Sequence, residues 1–172
     1  KEQEIKLNGE FKGSTYKDIN LEFKDFDVNA LTSAQESFDI NGNLNGIINF
    51  NQNKLVYKPT ASLVIDNLKV NSYELGVLKF DIDGDEKLKK FTLYSTIENE
   101  EFESFSADGS FEIVNKETLF DLNFKFDRFN LATLSSLGGD VISNIRGMVS
   151  GNATIGGSVK KPDINGRLFV ND

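Results

Sequence analysis

The hexapeptide Asp81-Ile82-Asp83-Gly84-Asp85-Glu86 sets four carboxylates around one glycine, a density of hard oxygen ligands that invites a calcium reading. Gly84 comes too early for an EF-hand loop, where the glycine follows three spaced ligands. The run reads instead as an acidic hairpin turn. Two further carboxylate pairs, Glu98 with Glu100 and Asp121 with Asp127, are the remaining candidates for acid–base work, and the sequence supplies neither with a pocket or a partner. Cysteine and histidine are both absent, which removes thiol nucleophiles, disulfides, Ser-His-Asp chemistry and the usual zinc ligands together. The expectation is a protein with no catalytic residue, no metal site and no cofactor, and therefore not an enzyme.

Charge narrows the partners. Asp and Glu outnumber Lys and Arg 27 to 19, for a net charge of -8. Nucleic-acid binding needs clustered cations, whereas Lys87, Lys89 and Lys90 directly follow Asp83, Asp85 and Glu86. No nucleic-acid partner is expected. No apolar run approaches the roughly 18 residues of a membrane helix, and "KEQEIKLNGE" lacks the pattern of a signal peptide. With 38% hydrophobic residues, 15 Phe and only 2 Pro, the chain can build a large apolar surface rather than stay disordered.

Alternation is what must position that surface. Ile5, Leu7, Gly9 and Phe11; Phe38, Ile40, Gly42, Leu44, Gly46 and Ile48; Phe91, Leu93, Ser95 and Ile97; Ala107, Gly109, Phe111 and Ile113 each recur with a period of two. A strand so written turns one side-chain set to a dry face and the polar set to water. In "FDLNFKFDRFNL" Leu122, Phe124 and Phe126 share one phase and Phe129 and Leu131 the other, so a bulge or turn is required near Arg128. The segments "FNQNKLVYKPT", "DIDGDEKLK" and "NEEFES" carry the Asn, Asp, Gly and Pro of connections. The pattern predicts an all-β chain, an antiparallel or mixed meander of about ten to fourteen strands. "VNALTSAQES" and "NLATLSSLGGDVISNI", with Leu131, Leu134, Leu137 and Val141 at helical spacing before and after Gly138-Gly139, read as short helical pieces or irregular loops at a sheet end.

These two ambiguous stretches occupy matching places in an internal repeat. "FKDFDVNALTS" is echoed by "FDRFNLATLSS", pairing Phe23 with Phe126, Phe26 with Phe129, Val28 with Leu131 and Leu31 with Leu134. Each copy continues into Gly-x-apolar-x-Gly, Gly42 to Gly46 and Gly147 to Gly151, and then reaches Lys58-Pro59 or Lys161-Pro162. The repeat copies are set at 20–118 and, incomplete, 120–172, within one fragment of a longer repetitive β domain spanning 1–172. Modules of this size stack into elongated sheets or solenoids more readily than into closed enzyme domains.

The ending "GMVSGNATIGGSVKKPDINGRLFV" and the first copy's "DINGNLNGIINF" resemble the TamB family of AsmA-like envelope proteins, in its internal and C-terminal region. Gly147 to Gly151, a glycine near Gly156 or Gly157, Pro162 and Gly166 before an apolar strand carry the likeness, which covers Phe120 to Val170 well and Asn20 to Ile65 more loosely. The resemblance implies an elongated curved sheet, a β-taco-like trough with an apolar concave interior. It implies a periplasmic location in a Gram-negative bacterium, with the full-length protein anchored in the inner membrane and reaching an Omp85-type outer-membrane partner. It further implies inter-membrane phospholipid transport, outer-membrane protein translocation and assembly, or both, with phospholipid acyl chains or unfolded outer-membrane β-strands as cargo. A β-rich binding or adhesin-like module and a purely architectural repeat segment are the alternatives.

An acyl chain in water costs about 0.8 kcal/mol per exposed methylene, so a lipid path needs a continuous apolar strip. The candidates to line it are Phe38, Ile40, Leu44, Ile48, Leu63, Ile65, Phe91, Leu93, Phe111, Ile113, Leu122, Phe124, Phe126, Val149, Ile155, Val159, Leu168 and Val170. The same residues would form the packed core of an ordinary sandwich, in which a second sheet covers the dry face. Gly42, Gly46, Gly147 and Gly151 share the parity of their apolar neighbours and are expected either to remove bulk from the dry face or to let the strands bend, with bulges or simple turns as the alternative.

Overall fold

A computed structural model describes residues 2–32, 39–71, 73–100, 102–134 and 146–171. The chain forms β1 (Glu4–Lys12), β2 (Tyr16–Asp27), a single helical turn α1 (Asn29–Thr32), β3 (Ile40–Asn53), β4 (Val56–Val70), β5 (Tyr73–Gly84), β6 (Lys90–Glu98), β7 (Glu103–Val114), β8 (Glu117–Asn130), a 3-10 turn (Leu131–Leu134), β9 (Met148–Ser158) and β10 (Lys161–Asn171). Each strand pairs antiparallel with its sequence neighbour, giving one open ten-stranded sheet in the order β1 to β10. The expected helical pieces reduce to these two short turns, while Phe38, Leu137, Gly138, Gly139 and Val141 lie outside the described residues.

A meander places alternate turns at opposite ends of the strands. One end, the hairpin end, collects the tight turns β1–β2, β3–β4, β5–β6, β7–β8 and β9–β10. The turn chemistry is local: Asn115 and Lys116 both take positive φ, 50° and 66°, between the paired Val114 and Glu117, as a two-residue hairpin requires. The other end, the connection end, collects the remaining links.

The apolar core sits at the connection end. Leu68, Val70, Leu75, Ile97, Phe129 and Val149 form its buried cluster, with Ile40, Ile65, Leu78, Phe105, Phe126 and Leu131 packed against it. Burying a phenylalanine such as Phe129 is worth roughly 1.5–3 kcal/mol. The Asn71 side chain donates to the Thr133 carbonyl at 3.5 Å, although β6 and β7 lie between their strands in the sheet. The sheet therefore curls toward its apolar face here, as a trough does.

Bulges set the phase changes. β2 slips between Phe23 and Phe26 and β8 between Phe126 and Phe129, the latter at the position where the alternation changes phase near Arg128. Asp25 and Arg128 adopt the same left-handed φ of 48°. Val28 N–H donates to the Gly42 carbonyl at 3.1 Å and Leu131 N–H to the Gly147 carbonyl at 3.0 Å. Asp27 and Asn130 each accept, at 3.0 Å, the N–H two residues on. The same local machinery thus occurs twice, about a hundred residues apart.

Candidate functional site: an apolar trough

Register carries apolar residues straight across the sheet in rows. Nearest the hairpin end, Ile19, Phe50 and Pro59 stand opposite one another, and further along the row Gly84, Phe91, Phe111, Phe120, Gly157 and Pro162 do the same. The second row runs Leu7, Leu21, Ile48, Ala61, Ile82, Leu93, Gly109, Leu122, Ile155 and Ile164. The third runs Ile5, Phe23, Gly46, Leu63, Phe80, Ser95, Ala107, Phe124, Ala153 and Gly166. The fourth runs Phe26, Leu44, Ile65, Leu78, Ile97, Phe105, Phe126, Gly151 and Leu168. Because alternate residues share a face, the four rows make one apolar surface.

Aromatic contacts stiffen it. Phe91 and Phe111 stack with centroids 5.0 Å apart. Phe105 meets Phe124, Phe126 and Phe129 at 6.3, 5.4 and 5.8 Å. Pairs at such separations add about 0.5–1.5 kcal/mol beyond area burial. The opposite face is polar: Asn20 bonds Asn49 at 2.7 Å, Asn123 bonds Asp108 at 3.1 Å, and Lys79 binds Glu98 at 2.8 Å.

Most of the sequence candidates fall in these rows, and their depth differs. Val149, opposite Phe129 and Val170, is 1% exposed and Leu44 is 7% exposed, so both belong to the packed end. Ile40 stands opposite Val70 beside the same cluster. Ile48 is exposed within the second row. Ile113 lies beyond the first row at the hairpin end, and Leu168 and Val170 lie on the edge strand β10; all three are exposed. Val159 occupies the β9–β10 turn, 65% exposed, outside the rows. Phe50, Ile82, Phe80, Phe105 and Phe120 were missed by sequence reasoning, although "VLKFDID" and its kin alternate plainly enough to have found them.

The glycines answer to backbone rather than bulk. Gly46 and Gly151 adopt φ of 132° and 136°, and an added Cβ would overlap the Ser62 and Arg167 carbonyl oxygens of the next strand. Each faces a phenylalanine across the ladder, Phe23 and Phe126. Gly42 sits where β3 slips register against β4, and Gly147 just precedes β9.

Acidic groups cluster elsewhere. Within the acidic run Asp85 acts as a turn cap, accepting the N–H groups of Lys89 at 2.6 Å and Lys90 at 3.1 Å, which lowers its pKa. Hydrogen bonds from Lys69 to Glu74 and from Lys79 to Glu98 lower those two pKa values as well. A depression of about 780 Å³ at the connection end is bordered by Lys69, Glu74, Glu98 and Glu100. Among the described residues no group of His, Cys, Asp or Glu is placed to hold a metal ion.

An open antiparallel meander with one continuous apolar face, which no second sheet covers among the described residues, defines a trough-type β protein. The family model described as "TamB, N-terminal domain" matches residues 3–170, and the chain belongs to the TamB family of bacterial envelope proteins. The glycine motifs resemble that family's internal and C-terminal region, whereas the matching model is that of its N-terminal domain. No curated protein and no solved structure matches the chain. No described helix is long and apolar enough to cross a membrane.

Proposed function

We propose that the chain is a segment of a periplasmic hydrophobic conduit that carries phospholipid acyl chains along its apolar face, without catalysis. The observation that supports this most is the set of four apolar rows, packed at the connection end and only half-buried in the phenylalanine row nearest the hairpin end. Such a face shields methylenes along its whole length, which scattered apolar patches do not. An elongated sheet of this kind also suits a protein reaching between an inner-membrane anchor and an Omp85-type partner.

A second reading keeps the conduit and changes the cargo to unfolded outer-membrane β-strands. It draws on the same rows, since the apolar side chains of an incoming alternating strand can lie against them. An adhesin-like or purely architectural role does not require the rows to stay uncovered.

Photocrosslinkers at Phe111 and Phe124, combined with mass spectrometry of co-purifying lipid, test the proposal. Crosslinked lipid at both positions is expected. Crosslinks to an unfolded outer-membrane protein with no lipid at either position would transfer the assignment to the second reading.

A further inference from the structure

The hairpin end carries a charge pattern that the net charge of -8 conceals. Lys17, Lys54, Lys58, Lys89, Lys116 and Lys161 lie in or next to its turns, and among the described residues none has a carboxylate within ion-pair distance. Among the other cations the pairing is mixed: Lys69 holds Glu74 at 2.6 Å, Arg128 lies 3.6 Å from Asp127, Lys79 holds Glu98 and Lys12 holds Glu10 at 2.8 Å, while Lys24 and Lys125 have no carboxylate within ion-pair distance among the described residues. Of the hairpin-end carboxylates, Asp85 is taken up by backbone N–H groups, Glu86 stands among the lysines, and Glu10, Asp18, Asp83, Glu112, Glu117 and Asp163 alternate with trough-face residues and so lie on the polar face.

Lys17 and the turn lysines Lys54, Lys89 and Lys116 border the trough, whereas Lys58 and Lys161 each precede a proline of the first apolar row and so stand on the polar face. Lys17 is two residues before Ile19, hence on the apolar face, and stands opposite Phe11 and Gln52. Gln52 stands opposite Tyr57 in turn. Beyond the first phenylalanine row, the face thus ends in an amphipathic row that mixes Phe11 and Ile113 with Lys17, Tyr57 and Thr118. An apolar surface that is open at this end and rimmed by free ammonium groups is complementary to an amphiphile with apolar tails and an anionic head.

Building on the conduit reading, we propose that the trough selects anionic glycerophospholipids, with the acyl chains on the rows and the headgroup phosphate against the lysines of the hairpin end. The lysines are point charges on flexible stems, suited to holding a phosphate without fixing its orientation, and so to a cargo that moves on. Zwitterionic lipids satisfy the rows equally and gain less at the rim.

The test is titration of the protein with acyl-labelled, short-chain phosphatidylglycerol and phosphatidylcholine of identical tails, kept monomeric. Phosphatidylglycerol should bind about tenfold more tightly at low salt, and that preference should shrink toward parity near 0.5 M salt, where the Debye length falls to about 4 Å. The combined Lys17→Gln, Lys54→Gln, Lys89→Gln and Lys116→Gln variant should lose the preference and keep its phosphatidylcholine affinity, whereas Lys69→Gln should leave both unchanged. Equal binding of the two lipids by the unmodified protein, at every salt, overturns headgroup selection and leaves the conduit standing. Binding of neither lipid overturns the conduit reading itself. Lysine-dependent retention on phosphatidylglycerol vesicles without uptake of monomeric lipid makes this end a membrane contact and overturns the headgroup assignment.

Discussion

The backbone N–H of Asp25 donates to the Asn45 side-chain oxygen at 2.8 Å, and the backbone N–H of Arg128 donates in the same way to Ser150 at 2.9 Å. Both donors sit at a φ of 48° in a bulge, and both acceptors lie between the two glycines of the next strand. The extra bulge residue leaves the ladder with an unpaired N–H, and the side chain of the neighbouring strand takes it up. Asn45→Ala and Ser150→Ala should each destabilise by about 1 kcal/mol in urea unfolding, and the double variant by about the sum. A double variant no worse than either single one would mean that the two bulges do not hold the sheet independently.

Depth along a strand should separate folding from binding. Val149→Asp places a carboxylate where 1% of the residue is exposed, and the expected loss is several kcal/mol, enough to abolish cooperative unfolding. Ile48→Asp, on the same face at 36% exposure, should cost less than about 2 kcal/mol while weakening lipid crosslinking at Phe111. Equal stability loss at both positions would indicate a face covered throughout.

Gly151→Ala forces a Cβ into the Arg167 carbonyl oxygen at a φ of 136°, whereas the nearest atoms to a Cβ at Gly156 are 3.9 and 4.0 Å away. Thermal unfolding should therefore register a loss of about 1–3 kcal/mol or more for the first substitution and almost none for the second. The comparison isolates backbone strain from the general effect of adding a methyl group to β9.

Acid should loosen the β5–β6 turn before the sheet. The folded pKa of Asp85 is lowered by the N–H groups of Lys89 and Lys90, so its stabilising effect is complete above the ordinary aspartate value near 3.8 and is lost as pH falls through the lower folded value. The protection of the Lys89 and Lys90 amides, taken relative to their intrinsic exchange rate at each pH from 6 to 2, should fall in that acidic window. In Asp85→Asn the acid-triggered change should vanish, and its persistence would assign it to another group.

Much of the fold is legible in the residues because a strand repeats every two positions and its faces follow from counting. The alternation of Leu122, Phe124 and Phe126 specifies a dry face, and its break before Phe129 marks the bulge at Arg128. Val159 was misplaced on the lining because parity continues through a turn on paper, while the chain at Val159 and Lys160 has left the sheet.

By itself, then, the sequence determined an all-β chain with one apolar face, the bulge near Arg128 and the TamB resemblance, since each depends on spacing along the chain, whereas the matching bulge at Asp25 emerged only in the structure. Only the tertiary structure decided how deep each position lies and which charges share an end. Leu44 and Val149 read like Ile48 in the sequence, yet they are buried because the connection end curls until Asn71 reaches Thr133. The lysines of five separate turns read as dispersed among acids, yet an antiparallel meander brings every second turn to the same end. Parity is a local property of the chain, whereas depth and charge grouping arise from how strands far apart in sequence are stacked and curved.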